Sequence, residues 1–202
     1  MNVIAFYHVY AHGRWREPLE EFLAALETSG FPGELLVGAI GDPDEIASVR
    51  VALDKRGSIC RTAPDGWEQT TIDAVREHAL RNDGAVLYAH TKGAAYAEYP
   101  PFKTAWRRAM NERIVERWRD RVGELDSFDV VWCNGNFWVA TCAFLRRLPI
   151  CPRETRSDVE SWLLDAGGRV LDVTEGLFPD LAPGQPSPEG SVDWLARQPA
   201  NL

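Results

Sequence analysis

Two short segments carry residue types suited to chemistry on a ligand, Leu87-Tyr-Ala-His-Thr-Lys-Gly93 and Asn134-Gly-Asn-Phe-Trp-Val-Ala140. In each, an apolar run meets small, polar or cationic residues. Lys92 offers a compact ammonium that can pair with a phosphate oxygen, and His90 can donate a hydrogen bond or serve as one metal ligand. Thr91 and Gly93 complete that junction, although Gly93 also suits a simple strand end. The amides of Asn134 and Asn136 can meet ligand hydroxyls, and Gly135 permits close approach of a backbone. Phe137 and Trp138 alternate across a strand, so one can stack on a ligand while the other enters the core.

These residues need elements that carry them to a common edge. Val3 to Val9 reads as a buried first strand, and Leu19, Phe22, Leu23 and Leu26 then recur at helical spacing until Gly30 and Pro32. Glu34 to Ile40 is a second strand, and Asp42-Pro43 supplies an N-cap and first-turn proline for a helix through Ile46, Val49 and Leu53. Ser58 to Thr62 is a third strand. Asp65-Gly66 is placed to cap a helix through Ile72, Val75, Ala79 and Leu80, and Asn82-Asp-Gly84 turns the chain into strand 85–89. Strand alternating with helix over short connections predicts a mainly parallel sheet flanked by helices. In such a sheet the carboxyl ends of the strands face the binding crevice, which is where His90, Thr91 and Lys92 fall.

Further on, Lys103 to Val122 reads as one helix, with Trp106, Met110, Ile114, Trp118 and Val122 spaced four apart. Phe128 to Trp132 and Asn136 to Ala140 read as strands, Ser157 to Asp165 as a short helix and Arg169 to Val173 as a last strand. The expected organisation is one α/β domain over residues 1–178, followed by a proline-rich extension over 179–202.

Composition narrows the function classes. The net charge of −8 argues against general attraction to nucleic acid or anionic lipid. The stretch 103–122 departs from this, with seven Lys/Arg against three acids, which reads as a solvated helix face or a surface for an anionic partner. The four cysteines show no metal spacing and read as reduced, buried thiols. No apolar run is long enough to span a bilayer, and the N-terminus lacks the marks of a signal peptide, so a cytoplasmic protein is expected. Neither G-x-G-x-x-G nor a Walker loop is present, which leaves dinucleotide oxidoreduction and P-loop phosphoryl transfer without a motif.

The order His90-Thr-Lys-Gly93, a Trp-containing basic helix, Gly135-Asn-Phe-Trp138 and Asp158-Val-Glu-Ser-Trp162 resembles small bacterial and phage glycosyltransferase-like proteins with a GT-A-type fold, over roughly residues 3 to 175. The resemblance implies a single-domain, Rossmann-style sheet and a nucleotide-diphosphate sugar as donor. It further implies a hydroxyl acceptor, on a glycan or a hydroxylated base in DNA. GT-A enzymes generally carry Asp-x-Asp at the end of the nucleotide-binding half, holding Mn²⁺ or Mg²⁺ on the donor. Here that place reads His90-Thr-Lys92, and Asp-x-Asp occurs instead as Asp42-Pro-Asp44, which puts metal dependence in question. On this resemblance His8, Tyr10, Asp42 and Arg14 join His90, Thr91, Lys92 and Gly93 around the donor, with Asp42 or Asp44 placed for ribose hydroxyls. Asn134, Gly135, Asn136 and Trp138 fall on the acceptor side.

The resemblance also implies an acidic residue at a helix start as catalytic base, Glu160 with Asp158 as its substitute. Ser157-Asp-Val-Glu160 equally fits a capping box, in which the glutamate satisfies a backbone N–H. A non-catalytic module that binds a sugar nucleotide or glycan is the competing reading, and a phosphate-ester hydrolase using His8, His12 and His90 has little spacing support.

Overall fold

The computed structural model describes residues 1–92, 94, 101–151, 159, 162–164 and 167–174. Gly93, Asp158, Glu160, most of the expected helix 157–165 and the extension 179–202 lie outside the described residues.

The first half alternates as its sequence pattern predicts. Strands β1 (Val3–Tyr10), β2 (Leu35–Ile40), β3 (Ser58–Ala63) and β4 (Ala85–His90) are separated by helices α1 (Arg16–Thr28), α2 (Pro43–Leu53) and α3 (Gln69–Arg81). Helix α4 (Pro101–Met110), a π-helical turn (Asn111–Glu116) and α5 (Trp118–Glu124) follow. Then come β5 (Val130–Cys133), β6 (Phe137–Thr141), the short α6 (Cys142–Leu145) and β7 (Val170–Asp172). The seven strands form one sheet in the order β3-β2-β1-β4-β6-β5-β7. β1 pairs in parallel with β2 and β4, β2 with β3, and β5 with β7, so β6 alone runs against the others.

Layering follows from alternation along the strands. Ala5, Tyr7 and Val9 of β1, with Leu87 and Ala89 of β4, pack with α1, α2 and the α4 region. Phe6, Val86 and Tyr88 point the other way, to Ile72 and Val75 of α3 and Phe144 of α6. Both faces of the central strands are therefore covered, as their continuous apolar runs require. Gly38 shows how closely α3 lies on the sheet: a Cβ there would stand 2.0 Å from Thr71 Oγ1.

Several expectations shift. The stretch 103–122 is not one α-helix, because the π-helical turn interrupts it. Residues four apart overshoot a full α-helical turn by roughly 40°, so a four-residue stripe drifts off any one face. The wider i→i+5 turn takes up that drift. Trp106, Met110, Ile114 and Trp118 all remain buried, with Val122 packed against them. Helix α3 starts at Gln69, beyond the Asp65-Gly66 start, with Glu68 as its N-cap residue; Leu80 on it is 49% exposed. Asp42 does precede α2 as N-cap with Pro43 behind it, but its side chain makes no capping hydrogen bond. Asn136 belongs to a turn with Asn134 and Gly135, not to β6. All four cysteines are free; Cys60 is half-buried and burial pushes the Cys133 thiol up to about 12.

Candidate functional site

The strand order reverses between β1 and β4. The chain leaves β1 for β2 on one side and returns to β4 on the other, so their carboxyl ends form the topological switch point at which open α/β sheets bind ligands. His8 of β1 lies in register with His90 of β4 and with Gly38 of β2. Because β6 is antiparallel to β4, the β5–β6 turn Asn134–Asn136 returns to this same edge. The two polar segments, 45 positions apart at His90 and Gly135, thereby meet: His90 Nε2 donates to the Gly135 carbonyl at 2.7 Å.

Glu68, which sequence reasoning passed over, organises the floor of this edge. It is buried, and its Oε2 accepts from the Tyr88 hydroxyl at 2.7 Å and from Asn136 Nδ2 at 2.7 Å. Its Oε1 lies 3.5 Å from His90 Nδ1. A carbonyl can only accept, so Nε2 of His90 carries a hydrogen, and Nδ1 faces the carboxylate. One carboxylate thus ties α3, β4 and the hairpin turn together. Burial, with Glu68 beside it, holds the Tyr88 phenol well above its ordinary value, so Tyr88 stays a donor. The signal for Glu68 was a carboxylate immediately preceding an apolar helical pattern, which reads as a solvated helix start.

Thr91, His8 and Lys92 are also held by defined contacts. Thr91 N–H donates to His8 O at 2.9 Å, and its hydroxyl accepts from the Tyr10 N–H at 2.9 Å, closing the ends of β1 and β4 on each other. His8 Nδ1 is 2.8 Å from Thr71 Oγ1. Lys92 is buried, with Nζ 4.6 Å from the centroid of the Trp106 ring. Lys103 of α4 brings a second ammonium to that ring at 4.8 Å. Neither Trp106 nor Lys103 was assigned to the site from sequence.

In the turn, Asn134 N–H donates to Thr174 Oγ1 at 2.8 Å, and Asn134 O accepts from Trp106 Nε1 at 3.2 Å. Gly135 has φ of 105°, and a Cβ there would stand 2.6 Å from Met110 Sδ, so the close neighbour of this glycine is the protein's own helix. Asn136 holds φ of 64°, which asparagine tolerates, while its Oδ1 accepts from Trp138 Nε1 at 3.0 Å. Trp138 is enclosed by protein, stacked on Tyr88 at 4.9 Å beneath the edge.

A second, more exposed group follows β1 and β2. Tyr10 and His12 are half-buried with ring centroids 4.6 Å apart, and Asp42 and Asp44 are exposed beyond β2. Arg14 forms an exposed ion pair with Glu17 at 3.2 Å. Trp67, next to Glu68, is 43% exposed. Residues 158 and 160 themselves are not described, but Val159 and Trp162 between and beyond them are buried in the α3-side core.

Among the described residues, no three His, Cys, Asp or Glu converge as a metal site. At the end of β4, His90 turns its nitrogens to Gly135 and Glu68, and Lys92 adds a cation where a metal would need an acceptor. The described residues therefore do not fit a divalent cation at the end of β4.

No protein-family model and no curated protein matches this sequence. Solved structures do match. A Desulfovibrio desulfuricans protein described as a nucleotide-diphospho-sugar transferase superposes with a TM-score of 0.52 at 12% identity, covering 86% of this chain and 80% of its own. A Pyrobaculum calidifontis mannosyltransferase, solved with GDP-mannose and Mn²⁺, gives 0.54 at 11% identity, covering 86% of this chain and 55% of its own. A Leptospira borgpetersenii cytidylyltransferase gives 0.55 at 12% identity, over 87% and 77%. The chain thus spans about half the mannosyltransferase and most of the other two. The fold is the GT-A-like α/β fold of nucleotide-diphospho-sugar transferases. Among the described residues no helix is long and apolar enough to cross a membrane.

Proposed function

We propose that the protein is a glycosyltransferase that moves a sugar from a nucleotide-diphosphate donor to a hydroxyl acceptor. The observation that carries this reading is the meeting of the His90-Thr-Lys92 and Asn134-Gly-Asn136 segments at the β1/β4 switch point of a GT-A-like sheet. Tyr10, His12, Asp42 and Asp44 are offered to the nucleoside, and Lys92 with Arg14 to the diphosphate. His90, Thr91 and His8 shape that side from beneath. The hairpin turn stands on the acceptor side, with Trp138 as its support from the core. In the reaction the acceptor oxygen bonds to the anomeric carbon, and the departing diphosphate keeps the electron pair of its bond. The acceptor proton passes to Glu160, or to Asp158 in its place.

The domain is taken to run to about residue 178. An acceptor that is a hydroxylated base in DNA would bind with steep salt dependence, whereas a neutral glycan would not.

A panel of nucleotide sugars, with and without Mn²⁺, identifies the donor by thermal shift, since a specific ligand stabilises the folded chain. Product analysis then separates the readings. A glycosyltransferase releases nucleoside diphosphate, a nucleotidyltransferase of related fold releases or consumes pyrophosphate, and a binding module releases neither. Glu160→Gln is expected to lower transfer roughly 10³-fold with donor binding and Tm unchanged. Retained activity with a large fall in Tm would assign Glu160 to helix capping.

A further inference from the structure

Away from the carboxyl edge, the sheet carries a second concavity. Strand β3 lies at the sheet edge, and its residues are exposed or half-buried throughout. Between it and the last turns of α3 lies a cavity of about 360 Å³. The floor is apolar, with Phe6 and Ala74 buried and Leu36 and Cys60 half-buried. Arg61, Glu77, His78, Arg81 and Asn82 form a polar rim. Asn82 precedes the turn into β4, so the cavity sits toward the amino ends of the strands. Glu68 marks the opposite end of α3, and the thirteen-residue helix between them sets the two places about 20 Å apart.

The partners of each rim residue narrow what the cavity can take. Glu77 is bound by Arg61, which neutralises the acid on the rim. The Asn82 side chain turns back onto its own helix, donating to His78 O at 3.0 Å with His78 Nδ1 at 3.3 Å. The His78 ring meets Phe6 edge-on at 5.8 Å. Arg81 makes neither an ion pair nor a hydrogen bond with the described residues. The charge on offer is therefore one guanidinium, a planar fork that matches a carboxylate or sulfonate. Burial pushes the Cys60 thiol up, so it stays a neutral, polarizable contact and not a thiolate that would repel an anion. The volume is at the low end of the roughly 300–1,000 Å³ usual for small-molecule sites, enough for about one or two rings and an anionic group.

We propose that the cavity between β3 and α3 is a second binding site, for a small amphipathic monoanion. An aromatic or short aliphatic body rests on Phe6, Leu36, Ala74 and Cys60, and its single carboxylate or sulfonate is held by Arg81. This site stands apart from the nucleotide-sugar reading and holds whether or not the chain transfers a sugar.

The test is fluorescence titration of the full chain with 8-anilinonaphthalene-1-sulfonate, alongside the rate at which N-ethylmaleimide alkylates Cys60, read by peptide mass spectrometry. Cys60 is the half-buried thiol, whereas Cys133, Cys142 and Cys151 are buried. Saturable binding of one probe per chain is expected, with Cys60 alkylation slowed at least roughly 5-fold at saturation. Arg81→Gln, on an exposed side chain, should weaken the probe roughly 10-fold, whereas Arg50→Gln, exposed on α2, should leave it unchanged. Octanoate should displace the probe and UDP should not. No saturable binding, equal affinity in Arg81→Gln, unchanged alkylation of Cys60 under bound probe, or displacement by UDP would each overturn the proposal. Should Cys60 not react in the free chain, the Arg81→Gln comparison decides.

Discussion

The lysines and the arginines of the 101–124 stretch occupy different surroundings. Arg107 is buried and held by Glu21 and Glu17 of α1. Arg113 donates to Val173 O, and Arg119 donates to Ser29 O and Gly30 O at the carboxyl end of α1. Arg121 donates to Arg113 O and to Glu124. Lys103, in contrast, turns with Lys92 to an aromatic ring at the crevice. A planar guanidinium fork suits carbonyls and carboxylates at fixed geometry, and a compact ammonium suits a phosphate as a point charge. The difference teaches that a local surplus of positive charge in sequence need not mark a charged surface. Here Arg107, Arg113 and Arg121 bind the protein to itself, Arg108, Arg117 and Arg119 stay exposed with Glu112, Glu116 and Asp120 as a solvated face would, and Lys103 turns to the candidate site.

Substitutions can break this contrast in a graded way. The largest effect on stability is expected from Arg107→Ala, which opens a gap at a fully buried side chain and leaves Glu21 to Arg108 and Glu17 to Arg14, and it should cost about 3 kcal/mol by urea unfolding. Nucleotide affinity of the folded fraction should not change; a selective loss of affinity would move Arg107 from scaffold to site. Glu68→Ala should cost about 2–3 kcal/mol, since Tyr88 and Asn136 lose their common acceptor and His90 its facing carboxylate. It should also slow transfer by loosening the hairpin turn, measured as a fall in kcat larger than any rise in KM. Full activity in that variant would separate the buried network from the site above it. Arg119→Ala, at the exposed end of α1, should cost only about 0.3–1 kcal/mol, seen as a small drop in Tm.

Much of the fold was legible because period and punctuation agree. The apolar run 85–89 is bounded by Gly84, which holds φ of 118°, and the α1 stripe Leu19, Phe22, Leu23 and Leu26 is buried throughout. The π-helical turn was legible only in hindsight, as a four-residue spacing too regular for a straight α-helix. The site was legible in its two segments and not in what joins them. Glu68 lies 22 positions before His90 and 68 before Asn136, and nothing local says that three side chains from other elements will enclose its carboxylate. Lys103 was hidden for the related reason that it sits in a run of cations whose destinations depend on tertiary packing. Asn134, Gly135 and Asn136 reach the crevice edge as expected, but their amides and backbone are largely taken up by Thr174, Trp106, Glu68 and Trp138.

The most direct test of the central claim is turnover of a nucleotide-sugar panel by the wild type and by Lys92→Gln, with released nucleoside diphosphate quantified. The account predicts that one donor class yields nucleoside diphosphate and that Lys92→Gln lowers the rate at least roughly 100-fold while the chain stays folded. Equal turnover by both chains, or no nucleoside diphosphate from any donor in the presence of glycan and DNA acceptors, would contradict it.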